Sequence, residues 1–237
     1  MVLRRFWKAA GAAATFGAIV LAGMLISSPH GRADDGNDDE DKVELGLKIS
    51  PVTPNLAGRN RRLVGLGSFI VNAQADCNGC HSAGPRTEFA FTGSIPTGNP
   101  YLLKPPFSGK TKINPATYLG GGNDFGPLIP GSAHIVSRNL TPDNTGRPEG
   151  GHTFSEFLLI IRTGVDMDKL HPTCPTGTIN ANCIPAPFDG SRLQIMPWPI
   201  FANMTDNDLR AIYEYLSAIP CIDTIDPNNP QLRNTCK

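Results

Sequence analysis

Cys77-Asn78-Gly79-Cys80-His81 follows directly on Arg61 to Asp76 (RRLVGLGSFIVNAQAD), and these two stretches decide how the rest of the chain is read. In the longer stretch apolar residues recur at Leu63, Val64, Leu66, Phe69, Ile70, Val71 and Ala73, a spacing nearer to helix than to strict alternation. That spacing predicts a helix whose end delivers Cys77. Two thiols three positions apart at a helix end can add to the two vinyl groups of one porphyrin while the adjacent imidazole reaches its iron. A structural zinc site would need a second closely spaced pair of ligands, and a thioredoxin-like dithiol would need a βαβ setting. The sequence offers neither, and the motif occurs once. It predicts one covalent haem c held by Cys77 and Cys80, with His81 as proximal ligand.

Upstream, Arg4, Arg5 and Lys8 precede an uncharged, mostly apolar run from Ala9 to Ile26, and Pro29 precedes Gly31-Arg32-Ala33. This predicts an export signal over 1–33, cleaved after Ala33. An uncleaved anchor is the alternative, because the run reaches the lower edge of the roughly 17–25 residues that span a bilayer. The signal holds four of the 21 Lys and Arg residues and none of the 21 Asp and Glu residues, which leaves the remainder at −4. Six of those acids lie between Asp34 and Asp41, so 34–57 is expected to be a solvated, disordered tail. The remaining surface is close to neutral, and without a concentrated basic face nucleic-acid binding is not expected.

An exported chain with six cysteines should pair those that the haem does not use. Cys174, Cys183, Cys221 and Cys236 allow three connectivities. Cys174–Cys183 with Cys221–Cys236 is favoured because each closes a short local loop.

Downstream of the motif, residues 82–150 are rich in breakers and predict loop with room for a short hairpin. Thr153-Phe154-Ser155-Glu156 reads as a capping box, followed by a stripe of Phe157, Leu158 and Ile161 and a stop at Gly164. Thr205 caps a last helix whose buried face is Leu209, Ile212, Tyr213 and Leu216, with Pro220 beyond its end. The candidates for a distal iron ligand are Met167, Met196, Met204, His134, His152 and His171. Met196 is preferred, because Pro197-Trp198-Pro199 fixes the backbone behind its thioether. Met204 reads as packing. Phe154, Phe157, Trp198 and Phe201 are candidate pocket residues.

The order of Cys77–His81, then Ser137-Arg138-Asn139-Leu140-Thr141-Pro142-Asp143, then Arg162-Thr163-Gly164, then Met196-Pro197-Trp198, then Met204-Thr205-Asp206-x-Asp208-Leu209 with Tyr213-x-Tyr215-Leu216 resembles bacterial class I c-type cytochromes. It is most similar to the cytochrome modules of membrane-bound dehydrogenases that oxidise alcohols, sugar acids or aldehydes. The resemblance spans about residues 58–220. It implies an all-α cytochrome c domain with long irregular loops, followed by a tail over 221–237 tied by disulfide. His81 and Met196 are then the axial ligands, and Gly67 meets Tyr213 where the first and last helices cross. Asn139 and Thr141 would bond a haem propionate, or else form a plain turn set by Pro142. The implied function is single-electron transfer in the periplasm, by a free or inner-membrane-anchored protein. Its redox partners would be a dehydrogenase, an oxidase or another cytochrome. The rival reading is a peroxidase-like enzyme with an open distal site. This chain departs from those dehydrogenase subunits in carrying one haem motif where they string three, and in the segment from His171 to Arg192 with its two cysteines.

Overall fold

A computed structural model describes residues 35–82, 88–92, 95–96, 112–223 and 234–236. The predicted export signal over 1–33 lies outside these residues. Among the described residues no helix is long and apolar enough to cross a membrane.

Among the described residues the helices that frame the fold are α1 (Asp35–Ile49), α2 (Arg61–Phe69), α3 (Cys77–His81), α4 (Phe154–Thr163), α5 (Trp198–Phe201) and α6 (Asp206–Ala218). Two antiparallel ribbons interrupt them. One is β1 (Phe91–Thr92) with β2 (Ile95–Pro96); the other is β3 (Asp124–Pro127) with β4 (His134–Val136), whose register slips between Asp124 and Pro127. The all-α expectation holds in its coarser form, a mostly helical chain, with small ribbons in the breaker-rich middle where a short hairpin was expected. Glycines and prolines stop helix propagation there, and short hairpins satisfy the backbone amides instead.

The acidic segment is also corrected. Residues 35–49 form helix α1, which packs on α2, so the folded unit begins well before residue 58. The acidic composition masks a short apolar stripe: Val43 is fully buried, and Gly46 and Gly65 let the two helices touch. A Cβ on Gly46 would stand 2.0 Å from the Gly65 carbonyl oxygen, and one on Gly65 would stand 2.6 Å from Val43. The acids face α2 bases, with Arg61 on Glu44 at 2.6 Å and Arg62 on Asp39 at 3.0 Å.

Helix α2 starts at Asn60, whose side chain accepts from the amides of Arg62 and Leu63. It then widens into a π-helical turn over Ile70–Gln74, closed by the Ala75 amide on the Ile70 carbonyl at 2.8 Å. Across it lies α6, capped by the Thr205 side chain on the Asp208 amide. A Cβ on Gly67 would stand 1.9 Å from the Ala211 carbonyl oxygen and 2.8 Å from Tyr215 Cβ. The crossing thus pairs Gly67 with Ala211 and Tyr215, and the expected Gly67–Tyr213 contact is corrected. Residues 211 and 215 are one turn apart on the same face of α6, whereas 213 points about 200° round the helix. Tyr213 packs instead against Phe154 and Phe157, ring centroids 5.4 and 5.7 Å away, and donates to the His152 carbonyl.

Helix α4 begins in the expected capping box, Thr153 with Glu156, and stops at Gly164 with φ +67°. There the Trp198 ring fills the space where a side chain would start, 2.1 Å from a Cβ on Gly164. The disulfides are Cys174–Cys183 and Cys221–Cys236.

Candidate functional site

Asp76 takes a left-handed conformation at φ 46°, ψ 46°, which breaks the chain away from the π-helical turn and starts α3 at Cys77. The Asp76 carboxylate folds back over Gly79, where a Cβ would stand 2.6 Å from Oδ2. Asn78, buried on the far side of α3, accepts the Leu119 amide on its Oδ1 at 2.9 Å, and the Gly121 amide donates to the His81 carbonyl at 2.5 Å. Gly121 has φ +70° and lies against the backbone of Arg138, so the 118–122 loop clamps α3 to the irregular segment that follows β4.

This clamp fixes the histidine. His81 Nδ1 lies 2.8 Å from the Arg138 carbonyl oxygen. A carbonyl only accepts, so Nδ1 carries the proton and Nε2 keeps a free lone pair. Burial lowers the imidazole's pKa and holds it neutral, the form that ligates metals.

His81, Cys77 and Cys80 open into one cavity together with Met196 and Met204. It contains about 1160 Å³ of non-atom space, part of it continuous with solvent, within or above the range of small-molecule and cofactor sites. Its walls come from every helix around it: Phe157 and Ile161 of α4, Phe201 of α5, and Leu209, Ile212 and Leu216 of α6. Val136 and Leu140 close the side next to Arg138. Phe154 and Trp198, two of the expected pocket aromatics, do not line it.

Cys77 and Cys80 are free thiols, whereas the other four cysteines are bonded to one another. Burial pushes the Cys77 thiol up to about 12, with Asp76 and Cys80 adding to the effect. A redox dithiol needs the opposite, a stabilised thiolate, so this environment speaks against thioredoxin-like chemistry. A zinc site fares no better, since no group of three metal-binding side chains exists among the described residues. A haem c fits: two free thiols, an Nε2 lone pair, a thioether and apolar side chains line one cavity.

Of the six candidate distal ligands, Met196 and Met204 line this cavity, and Met167, His134, His152 and His171 do not. Asn139 and Thr141 do not line it either, and their polar atoms bond one another and the C-terminal segment. Thr141 donates its amide and hydroxyl to Asn139 Oδ1 at 2.8 and 2.7 Å, and Asn139 Nδ2 donates to the Ile222 carbonyl at 2.9 Å. Thr141 Oγ1 also accepts from the Ile222 amide and from buried Asn234. The pair thereby ties down the disulfide-bonded C-terminal segment through both backbone and side-chain partners.

The sequence reading missed a charged cluster beside the cavity. The guanidinium of Arg138, which lines the cavity, reaches both Asp166 and Asp168. His152 Nε2 lies 3.8 Å from Asp168 Oδ2. His152, and then Arg138, hold Asp168 down to about 2. Glu149 also lines the cavity, at 6% exposure, in a turn over Pro148–Gly151 whose Glu149, Gly150 and Gly151 all have positive φ. Left-handed backbone at a glutamate costs on the order of 1–3 kcal/mol and accumulates at functional sites. Arg138 sits inside the quoted 137–143 segment and could have been singled out there. Glu149, in Pro-Glu-Gly-Gly, carries no periodicity or spacing signal. No protein-family model, curated protein or solved structure matches the chain.

Proposed function

We propose that this protein is a single-haem c-type electron carrier of the bacterial class I kind, working outside the cytoplasm. Cys77 and Cys80 anchor the haem through thioethers, and His81 Nε2 and the Met196 thioether hold its iron. The observation that carries this reading is the convergence of two free thiols, a histidine with its Nε2 freed, and Met196 on one apolar cavity. The bound haem would supply one-electron chemistry. The chain's part is to orient His81 through the Arg138 carbonyl, to exclude water with the α4 and α6 side chains, and to present an edge to a partner. A thioether ligand raises the reduction potential and leaves no open coordination position, which separates a carrier from a peroxidase-like enzyme. The donor and acceptor are redox proteins of the same compartment, such as a dehydrogenase, an oxidase or another cytochrome.

Expression with the haem-attachment machinery should give a protein whose denatured form retains haem through thioethers. Its ferric spectrum should show the Met-to-iron charge-transfer band, lost in Met196→Ala but kept in Met204→Ala. Rapid cyanide binding by the resting ferric protein would overturn the carrier reading in favour of an open-site enzyme.

A further inference from the structure

We propose that Glu149 is a proton-binding site linked to the electron, so that the protein takes up one proton from water when it is reduced and releases it when oxidised. The inference rests on the haem reading above and concerns a group that reading does not use. Glu149 is a buried carboxyl lining the same cavity as Cys77, Cys80 and His81, in a turn where three successive residues, Glu149, Gly150 and Gly151, have positive φ.

The groups that face it are mixed in sign. Arg138 comes from the segment after β4, Asp166 and Asp168 from the loop after α4, and His152 from its own turn. From α6, Tyr213 donates to the His152 carbonyl, and Arg147 acts on Tyr213 from the residue before the turn. Asp76 lines the cavity as well. Burial raises the acid's pKa, Arg138 and His152 pull it back, and Asp166 and Asp168 add to the rise. The net direction is upward, and the opposing charges around the carboxyl come from several residues, not from one ion pair.

The balance is simple. On reduction the iron gains one electron from the donor protein, and the Glu149 carboxylate gains one proton from solvent to become a neutral acid. Oxidation reverses both. An added positive charge across a low-dielectric cavity disfavours the proton, so the acid is weaker in the reduced state and stronger in the oxidised one. By linkage the reduction potential must then fall as pH rises between the two pKa values, by one proton per electron. Asp168 is exposed at the surface and borders His152, which gives the proton a polar way in.

The test is the midpoint potential of the intact holoprotein, titrated across pH, together with the redox-difference infrared spectrum. The wild type should show a falling segment bounded by two bends, and a protonated-carboxyl band that appears on reduction. Glu149→Gln should abolish both, while Glu149→Asp should keep them and move the bends. A pH-independent potential in the wild type overturns the proposal. So does an unchanged slope in Glu149→Gln, which would assign the proton to another group such as a haem propionate. If Glu149→Gln fails to fold, absence of the carboxyl band in the wild type overturns it. Each of these results leaves the carrier reading standing, whereas a protein without thioether-bound haem overturns that reading itself.

Discussion

His81 shows how much of this site is settled by a single acceptor. The Arg138 carbonyl decides which ring nitrogen is free, and the same residue's guanidinium gathers Asp166 and Asp168. One consequence is an acid-sensitive contribution to stability. Asp168 is depressed from 3.8 to about 2, so its contribution is complete above pH 4 and is lost as the pH falls towards 2. Its side chain is 36% exposed, and after allowance for solvent screening the contribution is about 1 kcal/mol. Glu149 has the opposite sign: its raised pKa contributes at low pH and fades as the pH rises through the folded value. Asp168→Asn should therefore flatten the acid limb of stability between pH 4 and 2, measured by urea unfolding, and leave the neutral limb lower by about that amount.

Among the elements, the contact of α2 with α6 fixes the helix whose Leu209, Ile212 and Leu216 wall the cavity. Gly67→Ala would drive a methyl group into the Ala211 carbonyl, and because that obstacle is backbone the helices must separate. A loss of about 3 kcal/mol in chemical denaturation is expected, the upper range for overpacking. The existence of this crossing was legible in the sequence, from the apolar periods of Arg61–Asp76 and of the segment after Thr205. Its register was not, because a glycine announces a close approach without naming the partner. Caps at Thr153, Thr205 and Gly164 were equally legible, since a hydroxyl or a missing Cβ acts locally. Helix α1 was hidden, because its stability comes from Val43 and Gly46 meeting Gly65, a contact between segments that composition averages away. The same holds for Asn139 and Thr141: short polar side chains before a proline suit a ligand and a tail equally well, and only the position of Ile222 and Asn234 decides.

At the scale of the molecule the cavity and the C-terminal clasp are separate. Neither Cys221, Asn139 nor Thr141 lines the cavity, yet the Cys221–Cys236 bond spans 15 residues. Replacing both cysteines by serine should lower stability by about 3 kcal/mol, as expected for a loop of that length. The visible spectrum of the folded holoprotein should stay as it was, checked by absorbance below the unfolding transition. The π-helical turn at Ile70–Gln74 couples the scaffold to the Cys77–His81 segment in another way. It is one residue of surplus in an otherwise regular coil, and it sets the phase at which Cys77 leaves the helix. Deleting exposed Ala73 would remove that surplus and let the coil tighten to ordinary pitch with little net rotation beyond it, whereas a further residue inserted after Ala73 would swing everything beyond it by about 100°. Under the proposed haem reading the insertion variant should keep its circular-dichroism helix signal yet mature without haem, while the deletion should still acquire it, as read from the visible absorbance of each purified protein.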